Sequence, residues 1–421
     1  MLSSRGIGLP GYASEKTEFS APREVENVPA RMKVLLVTSF PPSRGDLNEY
    51  GYHLACALRN DPQVDLVILA DETDAKPELE DFHIERCWRF DSALNPMRLL
   101  AEIWKHRPDV VWFNIGFSTF ARKPIAAFMA LMVPALARLS GYYTHITLHT
   151  IFERINLKDA GVRWPWLYRS AGHIGTQLLL LADDVSVLLP SFRDDLAAHY
   201  GKRADRVQFR PHGTFEGMRL ASLPQLDGPE RIILAFGYWG TYKRIDLLLE
   251  CMDGVARAVP NAVLVIAGTN HPSTPEYLET LQKQWANRNC VRFLGYVPED
   301  ELPTLFSSAS VLALPYSSAA GTSGVMHQAC QYGLPMVAAA IPEIVEIANE
   351  EQIAVEFYAP GDGSTLATQL IRVLSSEQLH RRAAEQNLSA AAMTPMAEVA
   401  GEYLQLFKQR VSKSSRQVAE Q

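Results

Sequence analysis

The chain has 421 residues, 47% of them hydrophobic and 21% charged, with a formal charge of −7. That length exceeds one ordinary core and implies about two domains, and the composition excludes a disordered or fibrous chain. Net negative charge argues against general nucleic-acid binding.

Residues 1–31 contain no apolar signal core and read as a disordered leader, with the fold starting at 32. Residues 33–38 (KVLLVT) are a continuous apolar run, the mark of a buried parallel strand. A loop over 39–49 with Pro41, Pro42 and Gly45 leads to a helix over 50–58. Further strands are expected at 65–70, 108–114, 144–149, 184–189 and 207–210. Alternation of this kind predicts a parallel sheet wrapped by helices.

Between 110 and 182 the only acids are Glu153 and Asp159, against Arg122, Lys123, Arg138, Arg154, Lys158, Arg163 and Arg169. Trp164, Trp166 and Tyr168 lie in the same segment. Such a stretch either contacts anionic lipid headgroups or an anionic acceptor, or is a helical face half buried in its own domain. The apolar run at 124–137 is shorter than the ~20 residues a membrane span needs.

The pattern breaks at 211–229, as a linker would, and then restarts. Strands are expected at 232–236, 262–267, 291–294, 311–314, 336–340 and 354–358, with helices between and after them. The domain boundaries that follow are 32–215, 230–392, a last helix at 393–410, and a flexible tail at 411–421. Five scattered cysteines fit buried thiols in a reducing compartment better than disulfides or zinc.

Two doubly wound halves place ligands outside the carboxyl ends of their strands, so the loops after strands carry the candidate site. Gly237 ends one strand and Lys243 follows six residues later. A lysine there suits an anionic phosphate, although an isolated lysine can equally be a solvated charge. Gly321, Thr322, Ser323 and Gly324 open a helix. Small residues let backbone approach phosphate, and the helix start supplies N–H groups; a plain cap by Thr322 or Ser323 is the alternative. His149 ends the strand ITLH, where either a cleft role or a satisfied core position is open.

Gly237, Lys243 and the DLL at 246–248, then VLVIAG at 263–268, FLG at 293–295, ALP at 313–315, GLP at 333–335, IPE at 341–343 and PGD at 360–362 occur in an order and spacing that resembles one family. The chain is similar, over nearly all of 32–409, to α/β glycosyltransferases of the GT-B fold, the large family numbered 4 (glycosyl transferases group 1). The resemblance implies two Rossmann-like domains facing a cleft and a last helix crossing back to the first domain. It implies transfer of a sugar from a nucleoside diphosphate sugar to a hydroxyl acceptor, with retention and without a metal or other cofactor. A carbohydrate or lipid-linked acceptor would sit in the first half, and the donor in the second.

Residue by residue, the resemblance puts His149 over the donor sugar and Lys243 on the diphosphate. Gly45, Gly237, Gly321, Thr322, Ser323 and Gly324 come beside the phosphates, and Tyr296 and Val297 at the base. His212 falls in a linker turn near the cleft, and Asp46 or Glu49 near the acceptor or in solvent. Glu343 reads as structural. The family carries an arginine after the glycine at 237, where this chain has Tyr238; Arg244 is the other cation close by. It also carries two glutamates at the positions of Ala320 and Gln328. Gln328 can still hydrogen-bond ribose, whereas Ala320 replaces a carboxylate with a methyl group. His327, one position earlier on the helix, faces elsewhere.

The expectation is a cytoplasmic enzyme, compatible with peripheral contact at the inner membrane face through 110–182. A non-catalytic nucleotide-sugar binder or partner subunit is the alternative, favoured by Ala320. An epimerase of the same architecture would need a carboxylate pair in the cleft, which these loops do not show.

Overall fold

A computed structural model describes residues 31–419, apart from 44, 46, 75–78, 156–163, 216–222, 225, 272–273, 286 and 320. Of the residues singled out above, Asp46, Lys158, Asp159, Arg163 and Ala320 lie outside the described residues, as does the leader at 1–30.

The first half contains strands β1 (Met32–Val37), β2 (Val64–Asp71), β3 (Ile84–Trp88), β4 (Val110–Ile115), β5 (Tyr143–Leu148), β6 (Asp184–Val187) and β7 (Val207–Phe209). Its helices are α1 (Asn48–Arg59), α2 (Asn95–His106), α3 (Pro124–Leu131), α4 (Val133–Leu139), α5 (Pro165–Leu179) and α6 (Pro190–Tyr200). The second half contains β8 (Arg231–Trp239), β9 (Ala262–Asn270), β10 (Val291–Gly295), β11 (Val311–Leu314), β12 (Met336–Ala339) and β13 (Val355–Tyr358). Its helices are α7 (Ile245–Ala258), α8 (Tyr277–Trp285), α9 (Leu302–Ser308), α10 (Gly324–Gln331), α11 (Pro342–Glu350), α12 (Gly363–Ser375), α13 (Glu377–Met393) and α14 (Met396–Ala419).

The sheet orders are β3-β2-β1-β4-β5-β6-β7 and β10-β9-β8-β11-β12-β13, with all pairs parallel. Both reverse direction beside their first strand, as doubly wound sheets do, and this is the crevice where such sheets bind ligands. Strand β1 shows why the pattern folds this way. Leu35 and Val37 pack on one face with Val67, Val111 and Phe113, while Val34 and Leu36 pack on the other with Tyr50, Leu54 and α14.

Helix α14 begins after the second half and packs on the first. Tyr403 and Phe407 lie 4.5 and 5.1 Å from the Trp112 ring. Arg410 donates to both oxygens of Asp184 at 2.8 and 2.6 Å. The helix runs on to Ala419, past the expected boundary at 410. Residues 411–419 lack an apolar stripe, so periodicity offered no reason to extend it. Strand β3 was not expected either. It is an edge strand and mostly half-buried, and it shows neither clean alternation nor a continuous apolar run.

Candidate active site

Two loops meet at the switch point of the second sheet. The first leaves β8 through the 3-10 turn Thr241–Lys243 and the second leaves β11 at Tyr316. The Ser317 N–H and hydroxyl both donate to the Tyr242 carbonyl, at 2.8 and 3.0 Å, and pin one loop to the other. Lys243 Nζ stands 5.5 Å from the Trp239 ring centre and 5.0 Å from that of Tyr316, a cation held against two aromatic faces. Gly237 adopts φ 134°, and a Cβ there would lie 3.0 Å from Lys243 Nζ and 3.7 Å from Val325 in the first turn of α10. Glycine is therefore what lets the lysine and that helix start converge.

Ser323 is the N-cap of α10 but its side chain makes no cap hydrogen bond, and the Thr322 hydroxyl makes none to the described residues either. The first N–H groups of the helix thus face the loops uncapped by a side chain, a setting that favours an anion. Thr322 Oγ1 and Gln328 Oε1 are buried atoms without a hydrogen-bond partner among the described residues. A buried polar atom left unmatched costs about 1–3 kcal/mol, which a ligand donor or acceptor would recover.

Across from this cradle, His149 follows β5 and is buried. Asn114, at the penultimate position of β4, donates through Nδ2 to Thr38 Oγ1 at 3.0 Å, so its Oδ1 faces His149 Nε2 at 2.6 Å. This chain places the imidazole proton on Nε2 and leaves Nδ1 as an acceptor. Burial lowers the His149 pKa to about 3, so the ring is neutral near pH 7. Gly321 meets it from the other half. Thr150 and Gly321 form an antiparallel bridge, and a Cβ on Gly321 would come 2.5 Å from the His149 carbonyl oxygen.

Behind His149 the ring of Tyr50 stands edge-on at 4.4 Å, and His212 is 4.8 Å beyond Tyr50. His212 stacks on His327 of α10 at 4.1 Å. His327 Nδ1 meets the Ser323 carbonyl at 2.8 Å, and Nε2 meets Glu351 at 3.0 Å. Burial alone would lower the His327 pKa, but the Glu351 carboxylate outweighs it and raises the value. His212 has no such partner; burial first, and then the neighbouring His327, push its pKa well down. The two halves are also tied by Arg154 to Glu343 at 3.5 Å and by the Ser191 N–H to Glu346 at 2.7 Å.

Gly237 thus brings Lys243 beside the start of α10, Gly321 just before that helix lies against His149, and Thr322, Ser323, Gly324 and Gln328 belong to the same loop and helix. Gly45 belongs to the loop after β1, where a Cβ would come 2.6 Å from Ser39 Oγ and 3.3 Å from Asp71. Arg86 holds that loop by donating to the Phe40 and Pro41 carbonyls at 3.3 and 2.6 Å. Tyr296 and Val297 follow β10, the edge strand, with one strand between them and β8. Tyr296 is exposed and Val297 half-buried. Arg244 turns away to Asp246 at 3.0 Å. Glu343 acts as a bridge between halves, through Arg154. Asn114, Tyr50 and Glu351 were not anticipated. The one available signal was a polar Asn near the end of the apolar run VVWFN.

Among the described residues, the one cluster with metal-ligand spacing is Glu85, Glu102 and His106. It lies near the start of β3 and the end of α2, away from the carboxyl ends of the strands. Lys105 already bridges both carboxylates there at 3.2 and 2.8 Å.

Residues 230–376 match the family described as "Glycosyl transferases group 1". An uncharacterized glycosyltransferase of Methanocaldococcus jannaschii is 33% identical over 147 residues, 35% of this chain and 36% of the relative. The phosphatidyl-myo-inositol mannosyltransferase of Mycobacterium leprae is 24% identical over 194 residues, 45% of this chain and 50% of the relative. The chain therefore spans about a third to a half of the length of these curated relatives. Among solved structures, a sucrose-phosphate synthase from Thermosynechococcus elongatus superposes with a TM-score of 0.71 at 17% identity, over 91% of this chain and 100% of that one. The Anabaena protein HepE in complex with UDP-glucose superposes with 0.63 at 16% identity, over 91% and 100%. At these identities the structural likeness establishes the fold. The chain has the GT-B fold, and its residues 230–376 match the glycosyl transferases group 1 family.

Proposed function

We propose that this chain transfers a sugar from a nucleoside diphosphate sugar to a hydroxyl of a carbohydrate or lipid-linked acceptor, with retention and without a metal. The observation that carries this reading is the convergence of Lys243, Gly237 and the start of α10 at the switch point of the second sheet. As the sugar–phosphate bond breaks, negative charge grows on the departing diphosphate. A fixed ammonium and helix N–H groups stabilise that charge without reorganising. Gln328 offers its amide to the ribose, and Tyr296 with Val297 lies toward the base.

His149, neutral and held by Asn114, acts as a positioning group that accepts a sugar hydroxyl at Nδ1. Its low pKa makes it unsuited to donate a proton at neutral pH. Contact between Thr150 and Gly321 closes the cleft on this side, and exclusion of water favours attack by the acceptor hydroxyl.

The relatives support the substrate class. The Anabaena structure is described with UDP-glucose, and the M. leprae relative is named for mannosyl transfer to a phosphatidyl-inositol. Ala320, in place of a family glutamate, supports a second reading in which the chain binds a nucleotide sugar without turnover. A thermal-shift screen of UDP, GDP, ADP and CDP with their common sugars, in EDTA, separates the two. Stabilisation by one sugar nucleotide followed by slow release of its diphosphate supports the transferase. Stabilisation with no turnover on any acceptor supports the binder, and no stabilisation sinks both.

A further inference from the structure

We propose that the exposed amino-terminal half of α5, with the adjoining face of α3, docks on an anionic lipid bilayer. Only the link to an acceptor rests on the transferase reading; the surface is argued from its own residues.

Helices of globular proteins hide one face. The start of α5 does not. Trp164, just before it, is 55% exposed, Trp166 65% and Leu167 49%, and Tyr168, Arg169, Ser170 and Ala171 are exposed as well. Consecutive exposed positions point in every direction around the helix, so this segment projects from the body. Only from Gly172 does the helix enter the fold. A Cβ at Gly172 would strike the Phe152 ring at 2.2 Å, and one at Gly175 would stand 3.4 Å from Leu131 of α3. On α3, Ile125 is 75% exposed and Met129, one turn later on the same face, is exposed too.

Charge complements this apolar face. Arg122, Lys123 and Arg169 are exposed around it. Among the described residues of 110–182 the one acid is Glu153, and it points inward, accepting from the Tyr200 hydroxyl at 2.5 Å and from Thr176 at 3.5 Å. Nearby Asp91 accepts the backbone N–H groups of Arg122 and Lys123. Tryptophan and tyrosine pair an apolar body with a polar edge and settle at the headgroup level, while cations seek anionic headgroups. A second copy of the chain would need a flat self-complementary face of about 800 Å² per partner. A helix end exposed on all sides suits a penetrable interface instead.

Position gives the surface a use. Gly172 packs on Phe152, which belongs to the 3-10 turn Phe152–Arg154 that begins two residues after Thr150. A bilayer under α5 would therefore lie on the acceptor side of the cleft and leave the donor cradle in water. No helix among the described residues is long and apolar enough to cross a membrane, so contact through this surface would be peripheral.

The test is co-sedimentation of the whole chain with vesicles of phosphatidylcholine alone and of phosphatidylcholine mixed with phosphatidylglycerol. The expected result is binding to the mixed vesicles, weakened by salt, with tryptophan emission moving to shorter wavelength. Trp166→Ser with Leu167→Ser should cut partitioning about tenfold or more while keeping the melting temperature. Arg169→Glu should weaken binding to mixed vesicles more than to neutral ones. No vesicle binding by the parent, or equal binding by the double variant, would overturn the proposal. Self-association lost in the double variant, without vesicle binding, would assign the face to a second copy. Nucleotide affinity measured without vesicles should be unchanged in both variants. Its absence in the parent would count against the transferase reading and leave this surface standing.

Discussion

Gly321 lies against the His149 carbonyl so closely that a single methyl group would come within 2.5 Å of that oxygen. The neighbouring bridge from Thr150 to Gly321 makes this a point where the two halves touch beside the candidate site. Gly321→Ala should force that contact apart, since a group forced into a packed contact costs about 1–3 kcal/mol. The expected outcome is a larger radius of gyration in solution scattering and donor turnover slowed about tenfold or more. A variant with the parent's dimensions and rate would show that this contact does not set closure.

Lys243 is expected to carry the diphosphate. Removing one charge-assisted hydrogen bond costs about 1.5–3 kcal/mol, so Lys243→Ala should weaken nucleoside diphosphate binding by that amount. Isothermal titration with UDP and GDP checks it, and equal affinities for parent and variant would remove the lysine from the site.

Gln328 separates stability from binding. Its Oε1 is buried and has no hydrogen-bond partner among the described residues. Replacing an unmatched polar group with an apolar one of similar size is close to neutral or stabilising. Gln328→Leu should leave the melting temperature equal or higher while lowering nucleotide affinity. A variant that melts lower and binds equally well would place Gln328 in the core alone.

Much of this arrangement was legible in the sequence. Buried parallel strands are written as continuous apolar runs, so both sheets and the loops at their carboxyl ends followed from residues such as 33–38 and 311–314. Lys243 and the turn at 321–324 stand out in the sequence because strand exits and helix starts have local signals. The pairing of Asn114 with His149, and the stack of His212 on His327 above Glu351, have none. Those residues are brought together from β4, β5, the linker, α10 and the residue after α11 by the fold. Helical geometry turned His327 away from Gln328, but its partner could be named only once α11 was placed.

Acid stability tests the buried histidines. Burial, reinforced by Arg210 and Arg410, lowers the His145 pKa to about 3, and burial lowers those of His149 and His53 to about 3 and about 4. Below the unfolded value of about 6.5 the unfolded chain takes up protons that the folded chain refuses. These groups therefore contribute stability that is present above that pH and lost as pH falls toward their folded values. The cost reaches about 1.4 kcal/mol per pH unit for each such histidine. The opposite shift of His327 offsets part of this trend. The melting temperature should drop between pH 7 and 5, and His145→Leu should make the drop shallower. A drop of equal slope in that variant would exclude His145 as a source.

The most direct measurement is release of nucleoside diphosphate from a panel of UDP-, GDP- and ADP-sugars in EDTA, for the parent chain and for Lys243→Ala. Metal-independent release from one donor by the parent, lost or strongly reduced in the variant, is the expected result. Release that requires an added divalent cation, equal release by both proteins, or none from any donor would contradict a lysine-based diphosphate cradle.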